Sequence, residues 1–231
     1  MKIKDEKKAQ DTFDKLESFA AAVALTAEMG RKKMQTYLLE HHESNTIAKQ
    51  LSVAMTILTN EWQKASNKSS LGFDKSIGLI HKQLFEENKM KLTKTEFSVI
   101  AKQKSLILED MAFENERLKR DTKKVLLHNI GKGMSYSQLE KGLKKAHPNY
   151  KSYVGTLFNT GLQRLYKDIT FSKIQDTFDS FVFLGPKDSK NRAFCAEHVN
   201  RTFNKREAKY IQEQLMGFYN CRHRLYGVHN N

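Results

Sequence analysis

Two cysteines and two histidines toward the C-terminal end of the sequence are the residues best suited to chemistry. Cys195-Ala196-Glu197-His198 sets a thiol and an imidazole three residues apart, and Cys221-Arg222-His223 sets a second pair two apart, with 22 residues between the pairs. Two thiolates and two imidazoles form a donor set for tetrahedral zinc, with the intervening helix as the connecting arm. C-x-H is tighter than the usual knuckle spacing, and three other readings stand beside zinc. The cysteines suit small buried hydrophobes. They also suit a disulfide, which a reducing cytosol opposes. The histidines suit hydrogen bonds that hold the region together without metal. None of these readings requires a cofactor, and zinc is the metal the first would take. A nuclease is the alternative from another class. His198-Val199-Asn200, with Cys195 and His223, resembles a metal-clasped site in which a histidine activates water and a second group holds Mg²⁺. Beyond Asp188 and Glu197 no acidic cluster accompanies these residues, so no catalytic residue is assigned and the chain is read as a non-enzyme.

The elements that must position these residues are legible around them. Ser180-Phe181-Val182-Phe183-Leu184 is a β-prone run closed by a Gly185-Pro186 turn. Asn204-Lys205-Arg206-Glu207 opens a helix that runs to Met216 and stops at Gly217, and Tyr219 to Val228 forms a second strand. Upstream, Tyr153, Leu157, Leu162, Leu165 and Ile169 mark the inward side of a helix whose wet side holds Thr156, Asn159, Gln163, Arg164 and Lys167. Before it, Ser135 and Gln138 form a capping box for a short helix with Leu139 and Leu143 on its buried face, and His147-Pro148 ends that helix. A longer helix spans Thr95 to Ile130, with Phe97, Ile100, Ile107, Met111, Leu118 and Val125 as one buried stripe. Gly131-Lys132-Gly133 stops it as a C-cap. The polar stretch Asn67-Lys68-Ser69-Ser70-Leu71-Gly72 reads as a loop between two helical groups. The expected fold is therefore mainly α: a long-helix body with a small C-terminal α+β unit of short strands, one helix and a Cys/His clasp. In chain order this gives an N-terminal helical region (1–90), a helical body (91–179) and the Cys/His unit (180–231).

Bulk properties narrow the partners. The formal net charge is +14; residues 1–130 hold 23 Lys/Arg against 18 Asp/Glu, and residues 131–231 hold 17 against 8. The shorter C-terminal part is thus the more cationic, which favours a polyanion. No apolar run approaches the ~20 residues that span a bilayer, and MKIKDEKKAQD has no secretory h-region, so no membrane partner is expected and the protein is placed in cytosol.

The C-terminal segments also carry a resemblance. FVFLGPKDSKNRAFCAEHVNRTF, a short helix, then GFYNCRHRL is similar to the end of the head-morphogenesis domain of minor head proteins of tailed bacteriophages, the family typified by phage Mu protein F. The matching positions are Gly185, Pro186, Asp188, Arg192, Phe194, Cys195, His198, Tyr219, Asn220, Cys221, Arg222 and His223. GKGMSYSQLEKGLKK resembles the family's hinge after its long helix, and YVGTLFNTGLQRL its threonine-bearing helix, so the likeness spans residues 90–228. Many members carry a histidine just before the N-C-R element, where Phe218 and Tyr219 stand here. The resemblance implies a minor capsid protein that associates with portal, capsid or scaffold proteins inside the procapsid. It implies assembly in the host cytoplasm, a final place in the virion head, and contact with packaged or ejected double-stranded DNA. The metal set would be structural, and Gly185, Pro186, Asp188, Arg192, Phe194, Asn220 and Arg222 would shape its loops. For Asp188 a carboxylate accepting backbone N–H bonds and pairing with Arg192 or Arg222 is expected. Non-specific DNA contact would fall to Lys141, Lys144, Lys145, Lys151, Arg164, Lys167, Arg201, Lys205, Arg206, Lys209 and Arg224.

Overall fold

The structure is a computed structural model that describes residues 2–42, 47–130 and 135–228. Three long helices come first: α1 (Lys2–Glu40), α2 (Ile47–Asn88) and α3 (Lys94–Ile130). They are followed by α4 (Tyr136–Lys145), α5 (Tyr150–Ile174), β1 (Ser180–Leu184), α6 (Ala193–His198), β2 (Thr202–Asn204), α7 (Lys205–Gly217) and β3 (Arg224–Val228). The architecture is the expected one, mainly helical with a small α+β region near the C-terminal end. The expected loop at Asn67–Gly72 is instead the interior of α2. Ser69 and Ser76 are fully buried there, and their hydroxyls donate to the Ala65 and Gly72 carbonyls four residues back. Small residues that satisfy their own hydroxyls this way read as loop by composition yet pack as helix. The expected C-cap at Gly131–Gly133 lies outside the described residues.

Packing divides the molecule into two units, each built from discontinuous segments. One comprises 20–71 and 105–158, the other 1–19, 72–104 and 159–231. Chain order and packing therefore divide the protein differently.

In the first unit Val23, Ala27, Met34, Leu38, Ala54, Leu58, Met111, Leu118, Leu139, Leu143 and Val154 are buried. α1 and α2 approach so closely at Gly30 that a Cβ there would meet the Glu61 Cβ at 2.6 Å. The Ser135 capping box forms as expected, with the Gln138 side chain returning to the Ser135 N–H. His147 takes a φ of 50° as the chain leaves α4, and its Nε2 lies 2.6 Å from the Glu114 carboxylate.

The second unit holds the site. Its sheet has the order β2-β1-β3, antiparallel on both sides of β1, with Phe181 opposite Phe203 and Gly227. β1 is covered on both faces. Phe181 and Phe183 join a core with Phe171, Ile174, Ala208, Ile211, Leu215 and Leu225, while Val182 and Leu184 pack with Tyr226. Elsewhere in the unit the Phe13 ring meets Tyr166 edge-on at 5.4 Å, and Tyr166 and Thr12 both donate to Gln83 Oε1. The α7 capping box between Asn204 and Glu207 is complete. Two elements were not expected, α6 and β2. The expected strand from Tyr219 begins only at Arg224, because Tyr219–His223 form a connecting loop.

Within α3 the expected stripe is partly right. Ile100, Met111 and Leu118 are buried, but Phe97 is exposed and Ile107 and Val125 are half-buried; Asn115 and Thr122 complete the buried line.

Candidate metal centre

α6 and the loop after α7 bring the two cysteines together. Cys195 sits in the middle of α6, and Cys221 and His223 flank Arg222 just before β3. All three are buried, and their ligand atoms lie within 4.8 Å of one another. The sulfurs are 3.8 Å apart, and Cys221 Sγ is 3.9 Å from His223 Nδ1. Metal–sulfur bonds of about 2.3 Å at the tetrahedral angle hold two sulfurs about 3.8 Å apart. The sulfur pair already has that spacing, and His223 Nδ1 stands beside it. No disulfide joins the two cysteines.

His198 is the exception. It stands outside this group: Nδ1 donates to the Phe194 carbonyl at 2.7 Å, and its ring stacks on Phe194 and Phe203. α6 ends at His198, so its ring is carried toward Phe203 of β2 rather than toward the thiols.

The orientation of His223 follows from its other nitrogen. Nε2 is 3.0 Å from the Pro186 carbonyl, and a carbonyl only accepts, so Nε2 carries the proton. Nδ1 then presents its lone pair toward the sulfurs, which is the arrangement of a ligating histidine held by a backbone carbonyl. The ring lies flat on Phe183, 5.2 Å between centroids and 6° between planes. Gly185 leaves the room: a Cβ there would stand 2.5 Å from His223 Cδ2 and 2.9 Å from its Cα.

The surrounding loops are tied by the residues expected to shape them. Asp188 accepts from the Lys190 N–H at 3.0 Å and from Arg222 at 2.6 Å. The Arg222 guanidinium holds the Asp188 carboxyl below the usual carboxylate range. Arg192 reaches the Tyr219 carbonyl at 2.7 Å and lies over the Phe218 ring; of the two arginines, Arg222 is the one paired with Asp188. Asn191 donates to the Pro186 carbonyl at 2.8 Å. Asn220, at φ 50°, accepts from Asn159 at 2.9 Å and from Thr160 at 3.3 Å, and its own N–H donates to the Thr160 hydroxyl.

α5 supplies what the sequence reading missed. Sequence spacing puts Asn159, Gln163 and Lys167 on its wet side, yet all three are buried, Lys167 at 1% exposure. The three lie four residues apart on the face turned to the Cys/His loops. Their spacing was the available signal, since a polar i, i+4, i+8 line reads equally as a wet face or as a polar interface. The Lys167 amine nitrogen lies near the Cys221 sulfur and has no oxygen acceptor among the described residues. Burial pushes its pKa down, and the two sulfurs oppose that shift. Cys221 is held well below the usual thiol range by the Cys195 thiol first, then by His223 and Lys167. Cys195 is correspondingly pushed up.

The expected DNA-contacting set separates into three kinds. Lys141, Lys144, Lys145, Lys151, Arg201, Lys205, Arg206 and Lys209 are exposed, with Lys144 paired to Glu140 and Lys205 to Asp176. Lys167 and Arg224 are withdrawn from that set, because each is 1% exposed. Arg224 is held between the Tyr166 and Tyr226 rings at 4.6 and 3.8 Å. Arg164 is half-buried over the Tyr219 ring. No helix among the described residues is long and apolar enough to cross a membrane.

Comparison of the chain with family models, with curated proteins and with solved structures finds no match. What the site itself contains is a buried Cys/Cys/His group of the right composition and spacing for a metal such as zinc.

Proposed function

We propose that this chain is a minor head protein of a tailed bacteriophage, of the Mu F-like kind its closing motif resembles. In this reading it assembles in the host cytoplasm with portal, capsid or scaffold proteins and resides in the virion head. The observation that carries the proposal is what the motif residues do. Gly185, Pro186, Asp188, Arg192, Asn220, Arg222 and His223 all spend their contacts closing loops around two buried thiols. A site built in this way serves architecture rather than turnover. Zinc, held by Cys195, Cys221 and His223, would supply a cross-link between α6 and the loop before β3 that a reducing cytosol leaves intact. Lys167 would face the two thiolates, and the Pro186 carbonyl would fix the His223 tautomer.

The exposed Lys and Arg residues of α7 and of the turn before β2 give the Cys/His unit a basic surface suited to phosphate contact without base readout. In the nuclease alternative His198 would act through Nε2, since its Nδ1 donates to the Phe194 carbonyl.

The test is co-expression of the full chain with the portal protein of the same phage genome, followed by co-purification and by mass spectrometry of assembled particles. Recovery at a few copies per particle supports the proposal. Absence from both portal complexes and particles overturns it. Incubation with plasmid and Mg²⁺ or Mn²⁺ separates the alternative, since cleavage lost on His198→Ala would make the protein a nuclease.

A further inference from the structure

α3 carries a second line of side chains, opposite in character to its buried stripe. Leu106, Phe113 and Leu127 are 60, 65 and 50% exposed, and exposed Arg120 occupies the intermediate place. All four lie within the same packing unit. Residues seven apart on an α-helix drift by only about 20° per step, so they form one straight line rather than a scatter. Single exposed apolar residues are ordinary, but a line about 30 Å long, from 1.5 Å of rise per residue, is not.

The charges beside this line are segregated. Exposed Glu109 and Asp110 lie between Leu106 and Phe113, and exposed Lys123 and Lys124 lie between Arg120 and Leu127. A two-fold axis midway between Phe113 and Arg120 turns a second α3 antiparallel to the first. It sets Leu106 against the partner's Leu127, and Phe113 against the partner's Arg120 as ring and cation. The same axis brings Glu109 to the partner's Lys123 and Asp110 to the partner's Lys124, each pair occurring twice. A parallel pairing in register would set Glu109 on Glu109 and Lys123 on Lys123. Near the axis the charges are already balanced within each chain. Glu116 pairs with Lys119 at 2.6 Å, and Arg117 lies 4.0 Å from Glu114 and over the Tyr153 ring.

We propose that this face of α3 binds a second copy of the chain, antiparallel, in an isologous dimer. Three apolar residues and Arg120 form the central line, and the flanking charges select the antiparallel register over the parallel one.

The experiment is light scattering on the purified full chain across a concentration series up to hundreds of micromolar. The expected mass at the upper end is twice 26.8 kDa. Phe113→Asp, at an exposed position that leaves folding intact by circular dichroism, returns the monomer. Glu109→Lys with Asp110→Lys also returns the monomer, because it sets four lysines against four. Adding Lys123→Glu and Lys124→Glu to that variant restores the dimer. A wild-type chain that stays monomeric throughout overturns the proposal. So does a dimer indifferent to Phe113→Asp, and so does a charge reversal that the fourfold variant fails to rescue.

Discussion

Replacing Gly185 by alanine tests the geometry of the Cys/His centre at its tightest point. The added Cβ would stand 2.5, 2.7 and 2.9 Å from His223 Cδ2, Cγ and Cα. The first two contacts belong to a ring pinned against Phe183, and the third belongs to backbone, so rotating the side chain cannot clear them. Residue 223 must therefore shift bodily. Overpacking of this kind costs about 1–3 kcal/mol, and loss of the Nε2–Pro186 hydrogen bond adds about 1 kcal/mol. For a chain of this size about 1 kcal/mol corresponds to about 2–4 °C, so Gly185→Ala lowers Tm by roughly 10 °C. Gly78→Ala is the control, since no heavy atom lies within 4 Å of its added Cβ in the interior of α2. It gains about 0.5–1 kcal/mol from helix propensity alone. The assay is thermal and urea melting of both variants with zinc content measured alongside. Gly185→Ala melting with the wild type while Gly78→Ala melts higher would refute the argument that His223 is sterically fixed.

Elemental analysis of protein purified without chelator is expected to find about one zinc per chain, from one site with cysteine and histidine donors. Cys195→Ser and Cys221→Ser lose that zinc, and His198→Ala keeps it. Asn220→Ala removes acceptors from Asn159 and Thr160 and strains a φ of 50°, which together cost about 2–3 kcal/mol in urea melts. Asn220→Gly relieves the strain but not the lost bonds, and recovers about 1 kcal/mol of that. Hydrogen bonds from Lys33 and Lys64 hold the Glu61 carboxyl below its ordinary value. Its folded pKa being the lower one, its contribution is full above an unfolded pKa of about 4.3 and is lost as pH falls from there toward the folded value. Glu61→Gln therefore costs up to about 1 kcal/mol at neutral pH and flattens the acid limb of Tm against pH. An unchanged acid limb would remove Glu61 from the acid transition.

What could be read from sequence was what local chemistry decides. β1 falls on Ser180–Leu184 because a β-branched and aromatic run is cut by Gly185-Pro186. Both expected capping boxes form because their partners lie three residues apart in the chain. The failures lie where a distant segment decides. Asn159, Gln163 and Lys167 turn inward because Asn220 and Cys221, more than 50 residues later, arrive as their neighbours. Arg224 looked like a free cation because nothing in its own segment reveals that Tyr166 and Thr170 lie beneath it. The Cys/His set was found from spacing, but spacing could not show that His198 faces Phe203 while His223 faces the thiols.

The order of strands bears on when the centre can exist during synthesis. β1 is central, yet it is made first, and both strands that pair with it come later. Cys195 is carried in just ahead of β2 and Cys221 just ahead of β3, on opposite flanks of that central strand. A nascent chain halted after α7 would lack Cys221, His223 and Leu225, the later-made neighbours of Cys195, Lys167 and the Phe183 ring. Closure of the thiol pair thus reports that translation has passed β3 and that both flanks of the sheet are in register. Ribosome-arrested chains should leave Cys195 open to thiol reagents until the last strand has emerged.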